Sequence, residues 1–194
     1  MGYTAMSMLF RQVLVAVLLA VSVAGCAPAA RAPATPAPAE SLVVGDIPDT
    51  QAFVTYSSPS GYQVDVPEGW SRSARGSAVA FSDKYNGERI EVRADAAASS
   101  PASQARALDW IRSIAQAVRN LHALPQTLSG HQVVRVDFTS DSKLNTVTGR
   151  SIRLDDRAYF FVRGDKQAML LLWAPVGSDN VDQWKRIATS FGWR

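Results

Sequence analysis

One thiol, two imidazoles and several carboxylates are the side chains of this 194-residue chain that could carry chemistry. Cys26 is the only cysteine, so the chain can form no disulfide within itself and no cysteine-based metal site. The thiol directly follows an apolar segment. Its position therefore favours covalent modification over a structural role in the folded part.

The two histidines, His122 and His131, are the first candidates for catalysis. His122 is expected at the end of a helix, where an imidazole commonly interacts with terminal carbonyls. His131 begins a predicted strand after Ser129-Gly130, and Ser-Gly-His is not a nucleophile motif; no G-x-S-x-G elbow occurs either. A hydrolase built around His131 and an unrecognised nucleophile is the enzymatic alternative.

The acidic residues indicate no metal or cofactor site. Asp155-Asp156 and the pair Asp83 and Glu88 fall in predicted hairpin turns, where turn chemistry alone accounts for Asp and Asn. Neither stretch has the alternating oxygen ligands of a calcium loop, and no glycine-rich phosphate loop follows a strand. We therefore predict no catalytic residue, no metal ligand and no cofactor.

The charge balance argues against a nucleic-acid partner. Lys and Arg outnumber Asp and Glu by 20 to 17, and no dense basic block occurs. If they converged, five arginines could form a patch for an anionic ligand or headgroup; the simpler interpretation is a solvated face interleaved with Asp. These arginines are Arg112, Arg119, Arg135, Arg150 and Arg153.

The large aromatic residues could line an apolar groove, which would make the protein a carrier of a small apolar ligand. Most of them are instead expected in the core, because aromatic side chains dominate core burial in small domains. They are Trp70, Tyr85, Trp110, Trp173, Trp184 and Trp193.

An apolar run of about a dozen residues, VLVAVLLAVSVA at positions 13–24, follows Arg11. A membrane-spanning helix needs about 20 apolar residues, whereas the core of a signal peptide needs about 7–15. The run therefore predicts an export signal, whether translation starts at Met1, Met6 or Met8.

The end of this run, Val23-Ala24-Gly25-Cys26, resembles the lipobox of bacterial lipoproteins, which is an aliphatic residue, two small residues and a cysteine. The resemblance implies that residues 1–25 are a lipoprotein signal peptide, cut between Gly25 and Cys26. It also implies that Cys26 accepts a diacylglyceryl group as a thioether, and acyl chains anchor at about 0.8 kcal/mol per buried CH₂. The alternative is an ordinary signal peptide cut near Ala24.

Residues 26–49 are predicted to be a flexible tether. Positions 27–40 read APAARAPATPAPAE, and such a proline-rich spacer would reach roughly 40 Å at about 3 Å per residue. We expect a cell-envelope protein, held by lipid on the extracytoplasmic side of a membrane, at the periplasmic face or in the outer membrane. Ala27, which stands where an Asp is the retention signal, favours the outer membrane by the same resemblance.

Residues 50–194 predict one α+β domain, an antiparallel β-sheet with a central helix and a C-terminal helix packed on it. Period-two patterns predict hairpins at 52–66 and 78–93, the second with a turn over residues 83–88 that contains the turn signal Asn86-Gly87. The apolar run Met169–Trp173 predicts a central strand covered on both faces.

Helical periodicity predicts a helix that begins at Pro101, with Ser100 as its N-cap, and runs through Leu121. A turn is expected at Asp155-Asp156. The last helix is expected to be capped by Ser178 or Asp179 and to bury Trp184, Ile187 and Phe191 along with Val181.

Three segments make residues 50–194 similar to the PsbP-like fold family. They are Gly61–Trp70 (GYQVDVPEGW), the strand pair from Tyr159 to Pro175, and the stretch from Trp184 through Ser190-Phe191-Gly192-Trp193. The resemblance implies a PsbP-like α/β sandwich and a binding or assembly subunit rather than an enzyme. The expected function is that of a membrane-anchored, non-enzymatic module for an envelope protein, lipid or glycan.

Overall fold

A computed structural model describes residues 45–94 and 103–194. Cys26, the signal peptide and most of the predicted tether lie outside the described residues, as do Ser100 and Pro101. The elements are β1 (Phe53–Ser58), β2 (Tyr62–Pro67), β3 (Ser71–Arg75), β4 (Ala78–Asp83), β5 (Asn86–Ala94), α1 (Ser103–Ile114), β6 (Gln116–Leu128), β7 (His131–Asp141), β8 (Arg153–Arg163), β9 (Lys166–Pro175), α2 (Val181–Ser190) and β10 (Gly192–Trp193).

The strands form two antiparallel sheets. The larger has seven strands in the order β3-β4-β5-β9-β8-β7-β6, and the smaller has three in the order β1-β2-β10. β9 is the middle strand of the larger sheet, which confirms the prediction of a central strand over Met169–Trp173. The α+β architecture expected from the sequence is confirmed.

Each face of the seven-stranded sheet covers its own hydrophobic core, because successive side chains of a strand point to opposite faces. Along β9, Leu170 and Leu172 belong to one core and Met169 and Leu171 to the other. Helix α2 and the three-stranded sheet contribute to the first core, and α1 packs over the second. In the described part of the chain, no helix is both long and apolar enough to cross a membrane.

The second hairpin turns within the predicted residues 83–88, but not at Asn86-Gly87. Asp83 pairs with Asn86, so Lys84 and Tyr85 form the turn, and Asn86-Gly87 belongs to β5. Gly87 is needed for packing rather than for turning, since a Cβ there would collide with the ring of Trp173. The predicted Asn-Gly turn is therefore wrong.

The predicted helix ends at Ile114, and residues 116–128 form β6 instead. Val118 and Leu121, predicted on the apolar helix face, do pack against the second core, but from a strand. β6 is an edge strand, where Pro125 is tolerated because its missing N–H removes no essential ladder bond. Pairing with β7 overrides the local helical pattern.

Two smaller predictions near the C-terminus are also wrong. Asp155 and Asp156 lie within β8, which pairs with β7 and β9 through this region, and form no turn. The residue at the N-cap of α2 is Asn180, rather than Ser178 or Asp179. Val181 is 60% exposed, so it does not share the buried face of Trp184 and Ile187.

Residues 45–49 pack on the domain although they fall inside the predicted tether range. Ile47 is 4% exposed and belongs to the first core. The backbone of Gly45 lies so close to Pro175 and Ser178 that a Cβ would collide with both. The start of the described chain is therefore fixed beside the end of β9.

Candidate functional site

A polar cleft of about 210 Å³ lies where the start of α2 meets strands β7 and β8. We call it the α2 cleft. Asp137 pairs with Arg157 in the sheet, and Asp155 pairs with Ala174, so side chains of these strands reach the cleft from one face. Its lining consists of Asp137, Phe138, Asp155, Asp156, Arg157, Ala174, Ser178, Asn180, Val181 and Trp184.

The sheet side of the α2 cleft carries a chain of ion pairs. Asp137 accepts a hydrogen bond from Nε of Arg157 at 2.7 Å and forms a second ion pair with Arg135, also at 2.7 Å. The guanidinium carbon of Arg157 lies 5.7 Å from the ring centroid of Trp184. Since both oxygens of Asp137 are engaged, this carboxylate holds the two arginines in place.

Two further polar side chains of the cleft, Asn180 and Asp155, differ in whether contacts within the protein already occupy their polar atoms. Asn180 is 2% exposed; it accepts from the N–H of Ile47 at 2.7 Å and donates to the carbonyl of Gly45 at 2.9 Å. Asp155 is half-buried, and its carboxylate forms no hydrogen bond or ion pair with any residue in the described ranges. The cleft thus presents one available carboxylate beside a guanidinium group, an arrangement suited to a small polar or cationic group.

Asp156 is among the residues that line the cleft, but its carboxyl group points to the other face of the sheet, because side chains alternate along β8. It is 6% exposed, and its Oδ2 has no hydrogen-bond partner. Burial raises the pKa of Asp156 from 3.8 to about 7, with a smaller opposing effect from hydrogen bonding to Ser140. This carboxyl therefore exchanges its proton close to neutral pH.

Glu88 is the second buried carboxyl group and lies on the face of the first core. It is fully buried, and neither of its carboxyl oxygens has a hydrogen-bond partner. Burial, and secondarily the charge of Asp65, raises the pKa of Glu88 well above its usual value. Burial therefore favours the neutral form of Glu88, which does not line the α2 cleft.

The two histidines lie in exposed strand positions. His122, expected at a helix end, is instead in β6, where it pairs with Asp137 across the ladder. His131 begins β7 opposite Leu128, and neither histidine lines the α2 cleft. Among residues 45–94 and 103–194, no group of three His, Cys, Asp or Glu side chains could hold a metal ion.

The candidate arginines are largely compensated one by one. Arg112 pairs with Asp109 at 2.9 Å, and Arg153 pairs with Asp141 at 3.0 Å. Arg135 is engaged by Asp137, as described above. The interpretation as a charged face interleaved with Asp agrees with these pairs better than a single anion-binding patch does.

The aromatic residues divide between the two cores instead of lining one groove. Trp184 belongs to the first core and Trp110 to the second. A second, open groove of about 380 Å³ runs beside α1, where the guanidinium carbon of Arg93 lies 3.8 Å from the ring centroid of Trp110. The groove is lined by Arg93, Ala94, Arg106, Asp109, Trp110, Ser113 and Gln167.

Comparison of the chain with protein-family models and with curated proteins gives no match. Solved structures do match in fold. A Bacteroides thetaiotaomicron protein superposes with a TM-score of 0.49 at 10% identity over 72% of this chain, which spans only 48% of that protein's chain. A protein of unknown function from Pseudomonas aeruginosa superposes with a TM-score of 0.45 at 17% identity, over 73% of this chain and 97% of that one.

The solution structure of cyanobacterial PsbP (CyanoP) from Synechocystis sp. PCC 6803 is also similar. It superposes with a TM-score of 0.50 at 14% identity, over 77% of this chain and 98% of the CyanoP chain. At this identity the likeness concerns the fold and not the activity. The sheet order, the two helices and this superposition together show that the chain has a PsbP-like fold.

Proposed function

We propose that the protein is a lipid-anchored, non-enzymatic binding module of the bacterial cell envelope. The observation that carries this proposal is the position of Cys26, the only thiol, directly after Val23-Ala24-Gly25 at the end of an apolar run. Acyl chains on Cys26 would hold the domain at the extracytoplasmic side of a membrane, at the periplasmic face or in the outer membrane. The proline-rich residues 27–40 would link the domain flexibly to its anchor, with a reach of up to about 40 Å from the bilayer.

The α2 cleft is the surface that we assign to binding. It combines the available carboxylate of Asp155 with the guanidinium of Arg157 and the exposed apolar side chain of Val181. Small sites of this kind orient a ligand through a few polar groups and bury its apolar part. The partner would be an envelope protein, lipid or glycan that presents a cationic or hydrogen-bond-donating group to Asp155.

Metabolic labelling with an alkyne fatty acid tests the anchor. Wild-type protein should take up the label, and Cys26→Ser should take up none. Ser22→Ala is the matched control, because it changes the leader next to the lipobox while keeping its four residues, and it should label like the wild type. Persistent label in Cys26→Ser, or a mature protein whose first residue is not Cys26, would contradict the assignment.

Photo-crosslinking in intact membranes tests the binding role. A photoreactive amino acid at Val181, on the rim of the α2 cleft, should give a discrete adduct. The same probe at Asp165, an exposed residue of the β8–β9 turn, is the control and should give none. Absence of any adduct from position 181, together with a measurable hydrolytic activity of the purified protein, would refute the proposal.

No contact within the described ranges supports either alternative function, the hydrolase around His131 or the carrier of a small apolar ligand. His131 is exposed, and among the residues that the structure describes its ring forms no hydrogen bond with a serine or an aspartate. An apolar carrier would be expected to have an aromatic-lined cavity on the order of 300 Å³ or more. The α2 cleft is smaller than that, and the groove beside α1 is lined by a single aromatic residue, Trp110, with Arg93 over its ring.

A further inference from the structure

The loop between β7 and β8, residues 142–152, carries the two most exposed large apolar side chains of the described chain. Val147 is 91% exposed and Leu144 is 67% exposed. Single exposed apolar residues are ordinary on protein surfaces, but two within four residues of one loop form a protruding apolar tip. This tip needs a physical explanation.

Hydrogen bonds within the loop hold its tip in a defined shape. Oδ1 of Asn145 accepts from the N–H groups of Val147 and Thr148, each at 2.9 Å. The Asn145 carbonyl accepts from the N–H of Gly149 at 2.8 Å, and the Asn145 N–H donates to the carbonyl of Arg150 at 2.9 Å. The loop therefore presents Val147 outward as a preorganised feature.

The charge of the loop is of one sign. Lys143 and Arg150 flank the tip, and residues 142–152 contain no acidic residue. Neither cationic side chain forms an ion pair or side-chain hydrogen bond with any residue that the structure describes. The nearest acid along the chain, Asp141, is engaged by Arg153 at 3.0 Å. The loop thus combines apolar side chains at its tip with two uncompensated cations.

The predicted tether enters the domain at the same end of the sheet. The end of β7, the start of β8 and the end of β9 are neighbours in the ladder, and Gly45 packs against Pro175 at the end of β9. Residues 26–44 connect this point to Cys26. The acids at this end include Asp46, Asp83, Asp155, Asp179 and Asp182. None of them forms an ion pair or a hydrogen bond with the side chains of the two loop cations.

We propose that the β7–β8 loop is a second membrane contact of the protein. Leu144 and Val147 insert at the boundary between headgroups and acyl chains, and Lys143 and Arg150 bind the headgroups of anionic phospholipids. An apolar surface bordered by cations is the pattern that binds such an interface. The inference rests on the proposed function, because the anchor at Cys26 is what would keep the loop near a bilayer.

A fluorescent reporter in the full chain tests the proposal. Val147→Cys in a Cys26→Ser background carries one thiol, which can be labelled with the dye NBD. In vesicles of phosphatidylcholine and phosphatidylglycerol, NBD at position 147 should shift to the blue and become protected from aqueous dithionite. The control is the same label on Asp165→Cys, at the opposite end of the sheet, which should stay accessible even when the leader holds the chain on the vesicle.

Charge variants test the role of the headgroups. Lys143→Gln and Arg150→Gln should each shift the insertion equilibrium of the loop roughly fivefold toward the aqueous state. Lys166→Gln, which removes an exposed cation at the opposite end, is the matched control and should leave insertion unchanged. Insertion that is equal in vesicles of phosphatidylcholine alone would overturn the headgroup assignment.

Two other results would overturn the membrane contact altogether. One is identical behaviour of the probes at positions 147 and 165. The other is a blue shift at position 147 that grows with protein concentration in the absence of vesicles, which would assign the loop to a contact between copies of the chain. Fatty-acid labelling of Cys26 is independent of these measurements, so the loop proposal and the proposed function can fail separately.

Discussion

Asp156 and Glu88 are buried on opposite faces of the seven-stranded sheet. Among the described residues, neither oxygen of Glu88 has a hydrogen-bond partner, and Asp156 is hydrogen-bonded only to Ser140 through one of its oxygens. Burial without compensation disfavours the ionised form. The two side chains therefore make the stability of the protein depend on pH, and the sign of that dependence follows from their raised pKa values.

The first prediction concerns Asp156→Asn. The pKa of Asp156 is about 7 in the folded state against 3.8 for the ordinary carboxyl, so the folded protein binds more protons between those values. The stabilisation that comes from protonated Asp156 is complete below about pH 4 and is lost as the pH rises toward 7. At pH 8, Asp156→Asn should raise the free energy of unfolding by about 1–3 kcal/mol.

Urea titrations of Asp156→Asn and the wild type from pH 4 to pH 8 provide the measurement. In Asp156→Asn, the free energy of unfolding should fall less steeply with rising pH than it does in the wild type. Asp165→Asn, which neutralises an exposed carboxylate, is the control and should reproduce the wild-type profile. Parallel profiles for Asp156→Asn and the wild type would show that Asp156 is not the titrating group.

The second prediction concerns Glu88→Leu. Both carboxyl oxygens of Glu88 are buried without a partner, and an apolar side chain of similar size removes that cost. We expect the free energy of unfolding at pH 8 to rise by about 1–3 kcal/mol. Glu91→Leu is the contrasting variant, because Glu91 is engaged by Arg93 at 2.8 Å and its loss should destabilise the protein. A loss of stability in Glu88→Leu would contradict the absence of a partner.

At the scale of elements, the sequence predicts strands in which apolar and polar residues alternate, or in which all residues are apolar. It does not predict an element whose structure depends on pairing with a strand distant in the sequence. Met169–Trp173 was assigned as a central strand because its composition requires cover on both faces. The segment from Gln116 to Leu121 has the helical period, but its backbone pairs with β7. A local period cannot show that a neighbouring strand is available, so the helix was predicted too long.

The α2 cleft was predicted only in its parts. Arg135, Asp155 and Trp184 were noted individually, whereas Asp137, Arg157 and Asn180 were not expected to form a site. Their proximity depends on sheet register and on the position of α2, which the sequence pattern does not specify. Asp156 could have been recognised as buried, because extending the alternation of Phe160 and Ala158 by one step places it on the same face.

The third prediction tests the irregular backbone of β6. Ala117 has a φ of 49°, a left-handed conformation that costs a residue with a Cβ about 1 kcal/mol relative to glycine. Ala117→Gly should therefore raise the free energy of unfolding by about 0.5–1 kcal/mol, measured by urea denaturation. Ala123→Gly, at a regularly paired position of the same strand, should lower it by a similar amount. Destabilisation by both variants would argue against a left-handed Ala117.

At the scale of the whole molecule, Asn180 joins the start of the described chain to its C-terminal helix. Its side chain forms hydrogen bonds with the backbone of Ile47 and of Gly45, which are 133 and 135 positions away in the sequence. Because these partners are buried or half-buried, removing the side chain leaves a donor and an acceptor unsatisfied. Asn180 therefore couples the entry of the tether to α2 and its cleft.

The fourth prediction follows from this coupling. Asn180→Ala should lower the free energy of unfolding by about 2–4 kcal/mol and should speed hydrogen exchange at the amide of Ile47. Asp182→Asn, an exposed change in the first turn of α2, should stay within about 0.5 kcal/mol of the wild type. Unchanged exchange at Ile47 in Asn180→Ala would contradict the proposed coupling.

The borders of the seven-stranded sheet have a consequence for a protein concentrated at a surface. An edge strand of an open sheet can pair with a strand of another chain where its backbone is regular and its side chains carry no charge. Here β3 is only five residues long and displays Arg72 and Arg75, and β6 is interrupted by Pro125 and by two shifts of register. These two edges should therefore resist backbone pairing between copies, even where the proposed anchor crowds many copies on one membrane.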